Sequence, residues 1–357
     1  MDYTNIDAEL CGVAKKLSQL PCLPKNLDSE RERFFKDTSY NPHFTYDIDK
    51  RPLLKAKQDL EKINIPDTSI GQLFQKKREE LLTIISMMLN IGTRGFSEHS
   101  LTLYGQPNDE LVDRAWKLIR LHDAEETMYV SSQTAIVHLT HAMKRYGCSW
   151  DVREKDMAAR ACVDLSNTCL LIKKDSFFTK KFIARLIVHE IGTHIVRYEN
   201  GTHQPYQIFS HGFSGYLGTE EGLAVLNEEL NNCLTRATIK TYAARVIAVH
   251  KGLQCTFRET YNYLMPYVGK ENAFEVTLRV KRGIGNTLYP GAFTKDHLYL
   301  DGYFKVKRYM QRGGELRRLY YGKIGLEDLA AVEKIPGLVN PLFLSNMKHY
   351  TKQINYK

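Results

Sequence analysis

The sequence predicts an α+β fold that is predominantly helical and contains one small mixed sheet packed on a buried helix. Apolar residues recur at helical spacing through most of residues 1–148 and again after Thr219. Three short β-prone runs at 150–154, 159–165 and 169–173 lie between these regions and predict the sheet. Of the 357 residues, 43% are hydrophobic and 25% are charged, which is typical of a globular protein and excludes a disordered or collagen-like chain.

The N-terminal helices are predicted from apolar spacing and from capping residues. Ser69 is expected to cap a long helix that runs through Met88, and Asn108 to cap another that runs past Leu121. A turn is expected at the Asn-Pro of YNPHFTY, and a further helix at 133–145. The first helix is predicted from four apolar residues at helical spacing: Ile6, Leu10, Val13 and Leu17.

The N-terminus and the cysteines predict a cytoplasmic protein without a membrane span. No stretch approaches about 18 uninterrupted apolar residues, and the N-terminus contains acidic side chains and no apolar signal region. Seven scattered cysteines without a CxxC pair predict reduced thiols that serve as small apolar core residues. They are Cys11, Cys22, Cys148, Cys162, Cys169, Cys233 and Cys255.

The β-prone runs are followed by a segment, 180–198, that is apolar on nearly all faces and therefore predicts a buried helix. It contains HEIGTH, whose two histidines and glutamate would be costly to desolvate without a partner, and the expected partner is a divalent metal ion. In the HExxH motif of zinc hydrolases the histidines are four residues apart and share a helix face. His189 and His194 are five apart, which on a regular α-helix separates their side chains by about 140°. We therefore expect a π-type turn, with Gly192 at the bulge, that returns both histidines to one face.

A third metal ligand is expected from another element, because a catalytic zinc ion takes three protein ligands and leaves one position for water. TEEGLAVLNEEL predicts a helix capped by Thr219, with Glu220 and Glu221 in its first turn. Glu221 lies far enough beyond the motif for a loop and a return helix. His203 and His211 are the rival ligands, although the position of His203 does not match the HExxHxxGxxH pattern.

These residue types predict hydrolysis of a peptide bond. Glu190 is expected to take a proton from a metal-bound water molecule while the metal polarises the scissile carbonyl group. The alternative is that the segment holds only core histidines or a structural metal, in a basic binding protein that catalyses nothing.

HEIGTHIVRYENG, followed by TEEGLA, resembles the tyrosine carboxypeptidase family, whose members use an HExxxH zinc motif and include bacterial proteins named for a QEGLA motif. The resemblance extends over most of the chain, through the GAFTKD segment. It implies a zincin-like metallopeptidase with one zinc ion per chain on His189, His194 and Glu221, the last matching the glutamate of QEGLA, and with Glu190 as general base. It also implies removal of a C-terminal residue, tyrosine or another aromatic one, from a protein tail. Glu220 replaces the glutamine of QEGLA and adds a second carboxylate beside the ligand.

We expect the chain to form one compact unit with two regions. The mainly helical N-terminal region is expected at 1–148 and the catalytic region at 149–357. The catalytic region would contain the sheet, the HExxxH helix, the EEGLA helix and a basic, helical C-terminal part interrupted by a glycine-bearing stretch at 283–294.

A carboxypeptidase needs a cation for the terminal carboxylate of its substrate, preferably an arginine that can bind both oxygens. The candidates are Arg197, which follows His194 by one helical turn, and Arg282 and Lys295, which flank the glycine-bearing stretch. Each of these cations could equally be an ordinary surface charge.

Neutral candidates for substrate binding follow the same motif. Asn200 and Gln204 could pair with the substrate backbone, or Asn200 with its following glycine could simply end the helix. Tyr289 and Tyr299 could stabilise an oxyanion, although nothing in the sequence selects them among the 21 tyrosines.

The chain carries a net charge of +9, and eleven basic residues lie between Arg279 and Lys323 against three acidic ones. We expect this stretch to attract the acidic C-terminal tail of a polypeptide toward a peptidase site. A solvated face of basic helices would give the same composition. Nucleic acid is disfavoured as a partner because no nucleic-acid-binding motif accompanies the charge.

Overall fold

The computed structural model describes residues 3–18, 23–122, 129–157 and 159–344, and most of these residues are helical, as predicted. The strands are β1 (Tyr129–Ser131), β2 (Asp151–Lys155), β3 (Ala161–Asp164), β4 (Cys169–Lys173) and β5 (Phe177–Thr179). The α-helices are α1 (Thr4–Ser18), α2 (Leu27–Lys36), α3 (Lys50–Lys62), α4 (Ser69–Leu89), α5 (Gly95–Tyr104), α6 (Asp109–Leu118), α7 (Ser132–Arg145), α8 (Lys180–Leu186), α9 (Val196–Thr202), α10 (Ile208–His211), α11 (Tyr216–Leu230), α12 (Arg236–Gly252), α13 (Phe257–Val268), α14 (Lys270–Lys281), α15 (Leu298–Gln311) and α16 (Leu329–Val332). A π-helix, Ile187–Ile195, joins α8 to α9, and 3-10 helices span Thr294–His297, Leu316–Tyr320 and Leu326–Asp328.

The described residues form two compact units, one drawn from Met1–His122 and Ala237–Asp301 and the other from Asp123–Arg236 and Gly302–Lys357. This division does not follow the boundary expected at residues 148 and 149. The reason is an aromatic core in the first unit, where Phe34 on α2 packs against side chains of α13 and α14. Its ring centroid lies 5.1 Å from that of Phe257, 5.0 Å from Tyr261 and 5.3 Å from Phe274.

Helix starts in the first unit were predicted better than helix ends. Asn108 caps α6 as expected, through a side-chain oxygen that accepts a backbone hydrogen bond of 2.9 Å. However, α6 ends at Leu118 and not past Leu121, because the chain tightens there into an i to i+3 turn. The long helix α4 does begin at Ser69, but its cap is Thr68, whose hydroxyl accepts a backbone hydrogen bond of 2.9 Å.

The second unit contains the predicted mixed sheet. Its strand order is β2-β4-β3, with β2 parallel and β3 antiparallel to the central, mostly buried β4. Strand β3 lies against the π-helix, so the sheet packs on the motif segment as expected. A second sheet, in which β1 pairs antiparallel with β5, was not predicted, because its three-residue strands are too short for an alternating pattern.

Six of the seven cysteines lie in the described part of the chain, and all six are free thiols. Four are buried as predicted, but Cys162 is exposed and Cys255 is half-buried. Cys22 lies outside the described residues.

None of the helices in the described ranges combines the length and the apolar character needed to span a bilayer.

Candidate metal centre

The HEIGTH motif lies entirely within the π-helix Ile187–Ile195. In a π-helix, hydrogen bonds join residues that are five apart. The Thr193 hydroxyl spans the same distance along the chain and donates to the carbonyl oxygen of Val188 at 2.9 Å. The imidazole rings of His189 and His194 come together with their centroids 5.1 Å apart. The two histidines, five residues apart, thus lie on a π-helix, as predicted. The π-helix is nine residues long, however, and not a single turn.

A buried network supports the π-helix at its centre. The Tyr320 hydroxyl donates to the carbonyl oxygen of Gly192 at 3.1 Å. The side-chain amide of Asn227, on α11, donates to the Thr193 hydroxyl and to the Tyr320 hydroxyl, each at 2.8 Å. Because buried polar groups are costly when unpaired, these bonds favour the irregular backbone of the motif over a regular α-helix.

Helix α11 contributes the third donor. The Oε2 atom of Glu221 lies 3.7 Å from Nε2 of His189 and 3.8 Å from Nε2 of His194. These three residues offer donor atoms that lie within 4.8 Å of one another. The Oε1 atom of Glu220 lies instead 3.1 Å from Nδ1 of His194, on the other side of the ring. Of the two neighbouring carboxylates, Glu221 therefore faces the position shared by the histidines.

Two imidazole nitrogens and one carboxylate oxygen form a donor set that fits zinc. In a tetrahedral zinc site the ligand atoms are about 3.3 to 3.4 Å apart, so the separations of 3.7 and 3.8 Å between Glu221 and the two histidines need only a small contraction. Within the part of the chain that the structure describes, this is the only such group of three donors. The rivals lie elsewhere: Nδ1 of His203 is 2.9 Å from the carbonyl oxygen of Glu199, and the His211 ring packs against Tyr198.

Glu228 supports His189 from the side opposite to the donor position. Its buried Oε1 atom lies 2.6 Å from Nδ1 of His189 and accepts a hydrogen bond of 2.9 Å from Nε of Arg185. Burial opposes protonation of His189, but hydrogen bonds to Glu221 and Glu228 outweigh it and raise the pKa of His189 to about 9. The carboxylates thus create a field that favours a cation at this position.

Glu220 supports His194 in the same way. Its Oε1 atom lies 3.1 Å from Nδ1 of His194 and 3.1 Å from Nζ of Lys323, and both Glu220 and Lys323 are buried. Burial would raise the pKa of Glu220, but the charges of Lys323 and His194 hold it below its ordinary range. An ionised Glu220 fixes the orientation of the imidazole and leaves its Nε2 atom directed at the donor position.

Close backbone contact holds α11 in place. A Cβ atom on Gly222, the residue after the donor glutamate, would collide with the backbone of Gly302 on α15. A Cβ atom on Gly302 would collide in turn with the carbonyl group of Gly218. Only glycine allows the two helices to approach so closely. The contact therefore fixes the distance at which α11 presents Glu221.

Glu190 is half-buried and, among the described residues, has no hydrogen-bond or ion-pair partner for its side chain. A carboxylate next to a metal donor and without a competing partner is available as a base.

Arg197 holds part of its own chain. The side chain is completely buried. Its Nε atom donates to the carbonyl oxygens of Leu319 at 3.0 Å and Gly322 at 2.9 Å, and Nη2 donates to that of Ile324 at 2.7 Å. The expected contact with a terminal carboxylate is therefore replaced by contacts that shape the loop 319–324, which carries Lys323 to Glu220.

Asn200 and Gln204 do pair with backbone groups, but these belong to the C-terminal part of the same unit. The side chain of Asn200 accepts from the backbone amides of Leu342 and Phe343, each at 2.9 Å, and donates to the carbonyl oxygen of Phe343 at 2.7 Å. Gln204 exchanges two hydrogen bonds, of 2.8 and 2.9 Å, with the backbone of Val339. The chain itself thus uses the backbone-binding groups expected to bind a substrate.

The remaining candidates lie in the first unit. The Arg282 guanidinium lies 3.9 Å from Oδ1 of Asp296 and 4.8 Å from the centroid of the Phe293 ring. Lys295 is half-buried in the 3-10 helix Thr294–His297. Tyr299 stacks on Tyr242, and the exposed Tyr289 lies beneath the guanidinium of Arg94. Substrate binding by Arg282 and Lys295 stays a prediction.

Glu228 and Lys323 were not predicted as site residues from the sequence. A signal for Glu228 was present, because it follows Glu221 by two helical turns and so shares its face of the same predicted helix. Lys323 gave no comparable signal, since it lies in a basic stretch that contains many similar residues.

The chain was compared with known proteins. A model of the family described as microtubule-associated tyrosine carboxypeptidase matches residues 32–354. Microtubule-associated tyrosine carboxypeptidase 1 of Mus musculus is 24% identical, over 96% of this chain and 70% of that protein. The protein of the same name from Homo sapiens is 26% identical, over 95% of this chain and 68% of that protein. The Mus musculus protein MATCAP2 is 28% identical, over 95% of this chain and 61% of that protein.

Proposed function

The chain belongs to the microtubule-associated tyrosine carboxypeptidase family, and we propose that it is a zinc-dependent carboxypeptidase with a zincin-like fold. It removes a C-terminal residue, tyrosine or another aromatic one, from a protein tail. The observation that carries this proposal is the convergence of His189, His194 and Glu221 on one position, with the unpaired Glu190 next to it in the chain. The names of the relatives support carboxypeptidase activity.

The residues of the centre divide the chemistry between them. A bound zinc ion would act as a Lewis acid that polarises the scissile carbonyl group and lowers the pKa of water. Glu190 takes a proton from the attacking water and passes it to the amine of the departing residue as the peptide C–N bond breaks. His189 and His194 keep their Nε2 atoms available because Glu228 and Glu220 occupy the Nδ1 atoms.

The proposed partner is a cytoplasmic polypeptide with an acidic C-terminal tail. The net charge of +9 supports an acidic substrate, because such a charge raises the local concentration of anionic chains. The names of the relatives support a polypeptide substrate.

The test is incubation of the zinc-loaded protein with peptides that differ only in their C-terminal residue, followed by mass spectrometry. We expect loss of one residue, fastest from peptides that end in tyrosine or another aromatic residue. Glu190→Gln should keep about one zinc ion per chain, measured by atomic absorption, and lose activity by roughly 10² to 10⁴-fold.

Three results would contradict the proposal. Internal cleavage would make the protein an endopeptidase, and normal turnover by Glu190→Gln would exclude Glu190 as the base. Zinc binding without cleavage of any peptide would favour the non-catalytic basic binding protein.

A further inference from the structure

For six of the eleven basic residues between Arg279 and Lys323, the structure identifies the partner groups within their own unit. Four of the six pair with carboxylates, Lys281 donates to buried carbonyl oxygens, and Arg282 lies near Asp296. The six are Arg279, Lys281, Arg282, Lys307, Arg318 and Lys323. The positive charge that could attract a partner is therefore not spread over the whole stretch from Arg279 to Lys323 but lies at fewer positions.

One of these places is an open pocket beside the end of α15. Its volume is about 470 Å³, and its walls include Lys305, Arg308, Arg312, Tyr309 and Leu326. The three cations are exposed and lie at positions i, i+3 and i+7. Arg312 directly follows the last residue of α15, and its amide still bonds to the carbonyl oxygen of Arg308, so the three lie on the same side. Glu327 is the one carboxylate in this lining, so the pocket has an excess of positive charge.

Arg308 and Arg312 have no anionic partner among the described residues: no hydrogen bond or ion pair involves either guanidinium group. Like charges four residues apart on a helix repel each other. The helix dipole offsets part of this cost near the C-terminal end, but it does not require the two groups to face a common pocket. Two guanidinium groups in one concave surface are suited to carboxylate, which each can bind through two parallel hydrogen bonds.

The walls favour a polypeptide over a nucleic acid. A Cβ atom on Gly314 would collide with the Tyr309 ring, so one ring face lies on the backbone and is not open for base stacking. The carboxylate of Glu327 would repel a continuous phosphate backbone. Leu326 and the Tyr309 ring offer apolar surface for the methylene groups of acidic side chains.

The pocket is connected to the helix that presents the metal donor. The backbone amide of Leu326 donates to the hydroxyl of Thr219 at 2.9 Å, two residues before Glu221. Thr219 was expected to cap α11, but α11 begins at Tyr216 and the hydroxyl holds the pocket wall instead. The glycine contact joins α11, which carries Glu221, to α15, which forms one wall of the pocket.

We propose that this pocket binds an acidic segment of the polypeptide substrate, N-terminal to the residue that is removed. The inference rests on the proposed function for the identity of its ligand. It adds a site, centred on Arg308 and Arg312, at which affinity for acidic tails is determined.

The test measures binding in a background that does not cleave. Zinc-loaded Glu190→Gln protein is titrated with a fluorescent peptide containing a run of glutamates, and with a peptide in which glutamines replace them. We expect Arg308→Gln/Arg312→Gln to weaken binding of the acidic peptide by about 3- to 10-fold at low salt, and to reduce the difference between the two peptides.

The control is Lys144→Gln/Lys174→Gln, which removes the same charge from two exposed positions of the same unit. It should keep most of the preference for the acidic peptide.

An equal loss in both double variants would overturn the proposal, since only net charge would then matter. A single-stranded oligonucleotide that binds more tightly than the acidic peptide, with the same dependence on Arg308 and Arg312, would overturn it in favour of a nucleic-acid site. If the acidic peptide binds as expected but the wild-type protein cleaves no peptide, the proposed function fails and the binding site stands.

Discussion

Two consecutive parts of the chain, residues 187–195 and residues 196–204, use buried polar side chains differently. In the first part, the two histidines of the motif turn toward the position that they share with Glu221. In the second part, Arg197 and Asn200 bond to the backbone of remote parts of the chain. Polar groups in a buried helix need partners, and the comparison teaches that carboxylates of α11 meet this need in the first part while remote backbone groups meet it in the second.

The largest expected effect is in the first part. His194→Ala should abolish zinc binding and lower peptidase activity by roughly 10³-fold or more, because a metal supplies several kcal/mol of transition-state stabilisation. Atomic absorption and a peptide cleavage assay measure the two losses. His203→Ala, at an exposed histidine outside the donor group, is the control and should keep both properties.

The next effect is in the second part. Arg197→Met should lower the free energy of unfolding by about 3 kcal/mol or more, because it leaves three buried carbonyl groups without their donor. Urea denaturation of the zinc-free protein measures this loss. An unchanged unfolding free energy combined with a raised KM would mean that Arg197 binds substrate and that the contrast between the two parts is wrong.

A smaller effect is expected at Glu228, which supports His189 in the first part. Glu228→Gln should weaken zinc affinity by about 10- to 100-fold, since it removes the carboxylate that orients His189. Competition with a chromophoric chelator measures this affinity. Glu229→Gln changes the neighbouring residue, which pairs with Lys307, and its zinc affinity should match that of the wild type.

The smallest effects lie at the end of the second part. Asn200→Ala should cost about 1 to 3 kcal/mol of unfolding free energy, and Gln204→Ala, which is half-buried, should cost about 0.5 to 1.5 kcal/mol. Neither should change KM for a peptide, because both side chains bind the segment 339–343. Denaturation and steady-state kinetics measure the two quantities, and a raised KM with unchanged stability would restore the substrate-binding role.

The sequence predicted the features that depend on local spacing. The spacing of the histidines indicated the π geometry, the apolar run indicated a buried helix, and the three β-prone runs indicated the mixed sheet. Each follows from periodicity within a few residues, where backbone geometry and side-chain direction are directly linked.

The sequence could not predict partners that are distant along the chain. The substrate-binding role expected of Arg197 assumed that a cation near a metal motif faces the ligand, but its partners are carbonyl groups more than a hundred residues away. The same holds for Thr219, whose hydroxyl suggested a local cap and instead binds the amide of Leu326. Every residue offers a carbonyl group and almost every residue an amide, so composition does not reveal which one is chosen.

The position of loop 319–324 along the chain determines when the centre can be completed during protein synthesis. All the donor residues have been translated once the ribosome has passed Glu221, but Tyr320 and Lys323 have not yet been made. A nascent chain at that stage carries the three candidate donor residues without the hydroxyl that holds Gly192 or the ammonium group that pairs with Glu220. The full set of supporting contacts around the candidate metal centre therefore exists only in a chain that has been synthesised past Lys323.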